Sequence, residues 1–341
     1  MRRAPRVRFD PFGIEIEQGL LWLDAKRPKT LGVVTHAHGD HVARHQTILC
    51  TPATAEFVRR RAGPGPRFIE LDYDAPYAVG DLSLTLLPAG HILGSAMVHI
   101  EGPHGSLLYS GDFRAEGGLT CEPARPRPAD LLITEATYGR PDHRFPPAAE
   151  ERKRLVAFAR TALSEGQVPL LLAYALGKGQ EVLAALAAAG VPTDVHGSIW
   201  DLCEVYREQG VRFPGARRLT REATRGRALL VPPRARRSAE VRARAPLRVA
   251  AVTGWGDRTI GQGIHEAIRL SDHADFDGLL GLVRAVAPTQ VFALHGYAVE
   301  FARELRALGY DAEPVEGHAG PPDGERPGMF ANSPRTPHNT P

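Results

Sequence analysis

The sequence predicts an α/β fold in which β-sheets are covered by helices, with a second α/β unit inserted in the first. Two observations carry this. Short apolar runs separated by turn residues crowd the first half, and helical patterns alternate with apolar runs in the second. The strand candidates are Gly19–Leu23, Leu31–Thr35, Leu82–Leu87, Met97–Ile100, Leu107–Tyr109 and Leu131–Thr134. The helix candidates are Thr54–Arg61, Ala149–Glu165, Gln180–Ala189, Ser198–Gln209, Phe276–Ala287 and Ala298–Leu308.

The insertion is read from composition. Gly139–Pro147 (GRPDHRFPP) is rich in proline and opens a stretch dominated by Ala, Leu and Arg, which ends near Ala251–Gly256. The expected organisation is a main domain over 1–140, an insert over 141–252 and the rest of the main domain over 253–320. The polar, proline-rich residues 321–341 form an expected disordered tail.

Hydrophobic content of 43% against 24% charged residues fits a globular chain with a sizeable core, and no run is long enough to span a bilayer. MRRAPRVRFDPFG is basic but has no apolar stretch behind it, so no secretory signal is expected. Cys50, Cys121 and Cys203 show neither disulfide nor zinc-knuckle spacing, which points to a reducing cytoplasm. Charge is unevenly spread. Residues 211–248 carry twelve arginines against Glu222 and Glu240, a local charge of +10 that leaves −7 for the rest of a chain whose net charge is +3. This segment is the expected polyanion-binding surface, with Arg234, Arg236 and Arg237 as candidate contacts. Lys178, in LGKGQE before a helical run, is a further candidate phosphate contact. Trp255 and His196 are weaker candidates, for stacking on a base and for touching a phosphate.

The strongest signal is Thr35-His-Ala-His-Gly-Asp-His41, directly after the apolar run LGVV. It gathers three imidazoles and a carboxylate within six residues, the donor set expected for Zn²⁺, with Mn²⁺ or Fe as alternatives. Asp40 and His41 are expected to open a helix. His91 in PAGHILGSA, Asp112 in SGDF and His295 in ALHGY each follow an apolar run, where a sheet edge can collect side chains from distant parts of the chain. A carboxylate such as Asp112 has two oxygens and can bridge two ions.

HAHGDH, AGHILGSA and SGDF resemble the successive motifs of the metallo-β-lactamase superfamily. Glu135 in TEATYG, His273 in LSDHADF and His295 in LHGY resemble the three further motifs of its β-CASP branch. The resemblance covers about residues 10–317. Within the branch, EATYGRPDHRFPP, LGKGQEVLAAL and SDHAD…LHGY are most similar to the bacterial DNA-ligase-associated exonucleases, also labelled mRNA 3′-end processing factors.

The resemblance implies a four-layer αββα sandwich carrying an inserted β-CASP α/β domain, with metals in the cleft between lobes. It implies two divalent ions, Zn²⁺ first and Mn²⁺ second. His36, His38 and His91 would hold one ion and Asp40, His41 and His295 the other. Asp112 would bridge them, and Asp24 would orient the histidine loop from behind. Asp40 and Asp112 thereby also count as catalytic groups. The implied reaction is attack on a phosphodiester by a hydroxide shared between two ions. His273 would protonate the leaving oxygen, charged and oriented by Glu135.

The expected substrate is DNA, cleaved from an end during repair, with functional association with an ATP-dependent DNA ligase and a helicase. RNA is the alternative, because eukaryotic DNA-specific members generally lack a histidine at the last motif and this chain has His295. A small-molecule hydrolase would need neither Glu135 with His273 nor the basic insert, and a non-catalytic nucleic-acid-binding paralogue would have lost a ligand.

Overall fold

Side-chain alternation decides how the sheets pack. The computed structural model describes residues 4–63, 65–222, 225–256, 260 and 263–315. The chain divides into two compact units. The first contains the residues up to Phe145, Leu202–Arg212 and the residues from Asp272; the second contains Pro146–Asp201 and Phe213–Ser271. The expected tail lies outside the described residues.

In the first unit, β1 (Val7–Asp10), β2 (Gly13–Ile16), β3 (Leu21–Leu23), β4 (Leu31–Val33), β5 (Thr47–Cys50) and β6 (Arg67–Glu70) form one sheet in that order. It is antiparallel as far as β3 and parallel from β3 to β6. The second sheet holds β7 (Pro76–Val79), β8 (Leu82–Pro88), β9 (Ala96–Gly102), β10 (Gly105–Tyr109) and β11 (Leu131–Glu135). Two late strands, β18 (Gln290–Leu294) and β19 (Ala312–Pro314), extend it beyond β11.

Alternate residues on these strands serve two cores. Leu84, Leu86, Val98, Ile100, Leu107, Tyr109 and Ile133 meet Ile14, Ile16, Leu21, Leu23 and Leu49 between the sheets. Leu87, Met97, Leu108 and Leu132 point the other way, against helices α7 (Phe276–Val286) and α8 (Ala298–Ala307). On the first sheet Leu49 faces inward, so the buried Ile48 and Cys50 face outward, on the side of α1 (Pro52–Ala62). Alpha helix α1 packs along β6 and against α5 (Cys203–Glu208), where Phe57 meets Tyr206 with ring centroids 5.5 Å apart. The layers are therefore helix, sheet, sheet, helix.

The second unit is a six-stranded, wholly parallel sheet. Its strands are β12 (Val168–Leu172), β13 (Thr193–Val195), β14 (Ala216–Arg218), β15 (Ala228–Val231), β16 (Leu247–Val252) and β17 (Glu266–Ile268), in the spatial order 14-13-15-12-16-17. Helices α2 (Ala148–Ser164), α3 (Lys178–Ala188), α4 (Gly197–Trp200) and α6 (Ala239–Arg242) accompany it. This unit runs beyond residue 252 to Ser271, because β17 pairs in parallel with β16.

Two local expectations are corrected. No helix opens at Asp40. His41 N donates to His38 O in a single turn, then Gln46 N turns to Lys29 O and β5 begins, which leaves too few residues to nucleate a helix. The run Ser198–Gln209 is not one helix either. It breaks after Trp200 into α4 and α5, and the break coincides with the boundary between the units.

Candidate metal centre

Strand direction gathers the site. β10, β11 and β18 are parallel neighbours, and β8 runs the same way because it and β10 each lie antiparallel to β9. Their C-terminal ends therefore share one sheet edge. His91 follows β8, Asp112 follows β10, Glu135 ends β11 and His295 follows β18. Gly111, at φ +53°, brings the Asp112 loop onto the histidine loop: a Cβ there would lie 2.9 Å from Thr35 Oγ1. Gly296 similarly lies against the 136–137 backbone, where a Cβ would come within 2.3 Å of Thr137 Cα.

His38 Nδ1 lies 3.1 Å from both His36 Nε2 and His91 Nε2. Asp112 Oδ2 lies 3.4 Å from His36 Nε2 and 3.9 Å from His91 Nε2. Tetrahedral ligation at about 2.0–2.1 Å places neighbouring donor atoms about 3.3–3.4 Å apart, close to these spacings. The outer hydrogen bonds set the tautomers. Thr35 Oγ1 donates to Asp24 Oδ2, 2.7 Å away, and so accepts from His36 Nδ1 at 3.1 Å. His91 Nδ1 donates to the Asp272 carbonyl at 2.8 Å. Both Nε2 atoms then present lone pairs to His38 Nδ1, which has at most one proton to give. A divalent cation satisfies all of them, so the donor set fits a metal.

Burial keeps the His36 and His91 rings neutral. His91 is pushed down to about 3 by burial, helped by the imidazoles of His273 and His38. His36 is held well below its ordinary value by burial, with His41 adding to the effect. Burial alone would raise the Asp112 carboxyl, but His41, His273 and His36 hold it well below the usual carboxylate range.

Asp24 stands behind the loop. It accepts from Thr35 N at 2.8 Å, Thr35 Oγ1 at 2.7 Å, Tyr109 Oη at 2.9 Å and His41 Nδ1 at 2.9 Å. His41 Nε2 faces Asp112 Oδ2 at 3.4 Å and Asp40 Oδ2 at 3.7 Å. Burial opposes the charged His41 ring, but the three carboxylates Asp112, Asp40 and Asp24 raise its pKa well above the ordinary value. His295 has a left-handed backbone, φ +59°, and its ring centroid is 6.4 Å from that of His41. Asp40, His41 and His295 line one cavity with Asp24, Lys26 and Tyr109. The rings of His41 and His295 stand farther apart than those of His36, His38 and His91, whose centroids lie 4.7–4.9 Å from one another.

His273 adjoins the first half, with its ring centroid 4.6 Å from that of His91. Glu135 holds it from behind, with Oε2 2.9 Å and Oε1 3.1 Å from His273 Nδ1. Phe113 N and Thr137 Oγ1 also donate to Glu135. Burial raises the Glu135 carboxyl above its ordinary value, against the lowering influence of His273.

A beta-lactamase superfamily domain is recognised over residues 21–168. The chain is 38% identical over 317 residues to a probable DNA ligase of Opitutus terrae, a match covering 89% of this chain and 31% of that protein. The chain belongs to the metallo-β-lactamase superfamily, in its β-CASP branch. A ribonuclease of Thermus thermophilus is 33% identical over 193 residues, 48% of this chain and 44% of its own. A transcription termination factor of Pyrococcus abyssi is 30% identical over 218 residues, 51% of this chain and 34% of its own. The chain spans about a third to under half of the length of these relatives. Members of the superfamily bind divalent metal, in keeping with the His and Asp cluster here.

All nine motif residues, together with Asp24, lie in the first unit of this β-CASP chain. The four suggested nucleic-acid contacts lie in the second. Lys178 is 1% exposed, with Nζ 5.1 Å from the centre of the Tyr174 ring, and Gln180 caps the adjacent Gly177 amide. That burial leaves it no open face for a phosphate. Arg234 and Arg237 are exposed and Arg236 is half-buried. Trp255 is buried, which removes it as a stacking platform, and His196 caps α4 through Ser198.

The basic segment is also less uniform than its composition suggests. Arg217, Arg227 and Arg244 converge on the fully buried Asp194, while Arg218 pairs with Asp201 and Arg248 with Glu165. Among the described residues, five of the twelve arginines thus have acidic partners from outside the segment. Sequence reasoning missed Thr35, Tyr109 and the Asp272 carbonyl. Thr35 precedes the histidine motif and Asp272 precedes His273, so adjacency was the available signal for both.

Proposed function

We propose that this chain is a metal-dependent nuclease that hydrolyses phosphodiester bonds of DNA from an end. The observation that carries the reading is the His273–Glu135 pair set beside a cluster of lone-pair donors. A hydrolase of small, activated substrates has no need of a buried proton donor of this kind.

His36, His38 and His91 would hold one ion, Asp40, His41 and His295 the other, with Asp112 between them; Zn²⁺ is the proposed metal and Mn²⁺ the alternative. When bound, such ions supply Lewis acidity, easing deprotonation of water and offsetting charge on the phosphoryl oxygens. The chain's own groups do the rest. Asp24 fixes the His41 ring through Nδ1 and the loop through Thr35. Glu135 would fix His273 through Nδ1 and favour its imidazolium form, whose Nε2–H is the proton given to the departing oxygen. Asp40 and Asp112 stay ionised, since the neighbouring imidazoles lower both carboxyl groups against the effect of burial.

DNA is favoured over RNA by extent of similarity. The relative named a DNA ligase matches 89% of this chain, whereas the one named a ribonuclease matches 48%. Since this chain corresponds to 31% of that ligase-named relative, we further propose that it works alongside an ATP-dependent DNA ligase, on strand ends the ligase must join. The inserted second unit, with Arg234, Arg236 and Arg237, would hold the strand.

End-labelled single-stranded DNA and RNA of matched sequence, each with Zn²⁺ or Mn²⁺, test this. Progressive loss of DNA from one end is expected. Preferential RNA cleavage would move the chain to the ribonuclease reading, and inertness towards both would remove the nuclease assignment.

A further inference from the structure

Three consecutive arginines end α1, and they are not used alike. Arg59 pairs with Glu70 and Glu56 and lies over the Phe68 ring. Arg60 pairs with Glu56 at 2.7 Å and Glu208 at 2.6 Å. Arg61 has no ion-pair partner among the described residues. Its guanidinium turns instead to the histidine loop and donates to the carbonyl of Ala37, between the first two motif histidines. It also passes residue 39 closely: a Cβ at Gly39 would stand 3.9 Å from Arg61 Nη2, at van der Waals contact. The charge of Asp40 reaches it.

Lys26 offers a second such cation. It follows Asp24 by two residues, is exposed, and lines the cavity shared by Asp40, His41 and His295. Lys29, close by in sequence, is occupied over the Trp22 ring at 3.2 Å, but Lys26 has no ion pair among the described residues. Both cations thus border Asp40, on a chain that is acidic outside its arginine-rich segment.

We propose that Arg61 and Lys26 are a phosphate-binding pair that holds the nucleic-acid strand next to its scissile bond. The proposal rests on the phosphodiesterase reading above. Arg59 and Arg60 are matched with carboxylates, whereas Arg61 and Lys26 have no ion pair among the described residues. A fixed guanidinium without an ion pair, beside a cluster containing Asp24, Asp40 and Asp112, lowers the repulsion a polyanion meets on approach. Arg61 is anchored at one amino group, so it loses little freedom when it binds a phosphate oxygen. Neither residue touches the reacting atoms in this scheme; both position the strand.

The test uses the full chain carrying Arg61→Ala, Arg61→Lys or Lys26→Ala, with metal content measured in each. The substrates are a single-stranded oligonucleotide and bis(4-nitrophenyl) phosphate, a diester without flanking phosphates. Binding of the oligonucleotide is titrated against salt in parallel. Each alanine variant should raise KM for the oligonucleotide about tenfold, the scale of one charge-assisted contact. Each should flatten the logarithmic salt dependence by about 0.7, the share of one phosphate on a single strand. The loss on the small diester should be several-fold smaller, and Arg61→Lys should restore the slope. An unaltered KM and salt slope in both alanine variants would overturn the pair. Equal losses on the two substrates together with reduced metal would instead make Arg61 a strap for the histidine loop. A wild-type chain that cleaves neither substrate would remove the phosphodiesterase reading, and the binding slopes would still judge the pair.

Discussion

His273 Nδ1 lies 2.9 Å from Glu135 Oε2, and both side chains are almost wholly buried. A carboxylate on Nδ1 orients the ring and favours its imidazolium form, whose Nε2–H is the proton that can be given up. His273→Ala should therefore retain the metals and lose about 10²–10⁴-fold in oligonucleotide cleavage. The loss should shrink for a nitrophenyl phosphodiester, whose leaving group needs no proton. Equal losses on the two substrates would show that His273 is not the donor.

Asp112 Oδ2 lies within 4 Å of the Nε2 atoms of His36, His41 and His91. It thus touches histidines of both halves. Purified protein should carry close to two divalent ions per chain, and Asp112→Ala should lower that content and abolish cleavage. Elemental analysis checks the first outcome and an oligonucleotide assay the second. Retention of both metal and activity would exclude a bridging role.

The histidine loop, His91, Asp112, Glu135, His273 and His295 were all legible in the sequence because each sits in a dense motif beside an apolar run. What surrounds them was less so. The Asp272 carbonyl that orients His91 is a backbone group, and residue type says nothing about which carbonyl a ring will meet. Tyr109 belongs to a strand that reads as core, yet its hydroxyl reaches Asp24 from 85 residues away. The expectation of a helix at Asp40 followed local composition, whereas the loop spends its backbone groups elsewhere. The second unit was legible as an insert by composition. Its parallel sheet was not, since strands as short as β13 and β14 acquire their identity only by pairing.

The acid limb of stability follows from His91. Its ring is neutral in the fold down to about pH 3, whereas an unfolded chain protonates it near 6.5. Below that value the unfolded state binds the extra proton, so stability present at neutral pH is lost as pH falls from about 6.5 towards 3. Chelator-treated protein should show this in denaturant titrations, with a slope of about 1.4 kcal/mol per pH unit for each such group. His91→Gln should reduce the slope by about one proton. An identical slope in the variant would mean that His91 is protonated in the fold.

The arginines of residues 211–248 should separate into two kinds under mutation. Arg217, Arg227 and Arg244 surround Asp194, whose carboxyl they hold below its ordinary value although burial would raise it. Removing that carboxylate strands the almost fully buried Arg244 without its ion partner. Asp194→Ala should therefore cost about 3–5 kcal/mol of stability. Arg234 and Arg237, by contrast, are exposed, and Arg236 is half-buried with its pKa lowered by burial and by Arg237. Changing all three to Glu should leave the melting temperature within a few degrees of wild type. It should weaken oligonucleotide binding and flatten its salt dependence by up to about 2, at 0.7 per lost phosphate contact. Hydrolysis of a small phosphodiester in the triple variant should change far less than oligonucleotide binding. Calorimetry and salt-dependent binding separate the two groups. If the triple variant kept the wild-type salt slope, these arginines would be a solvated face, and the strand would owe its hold to cations elsewhere in the chain.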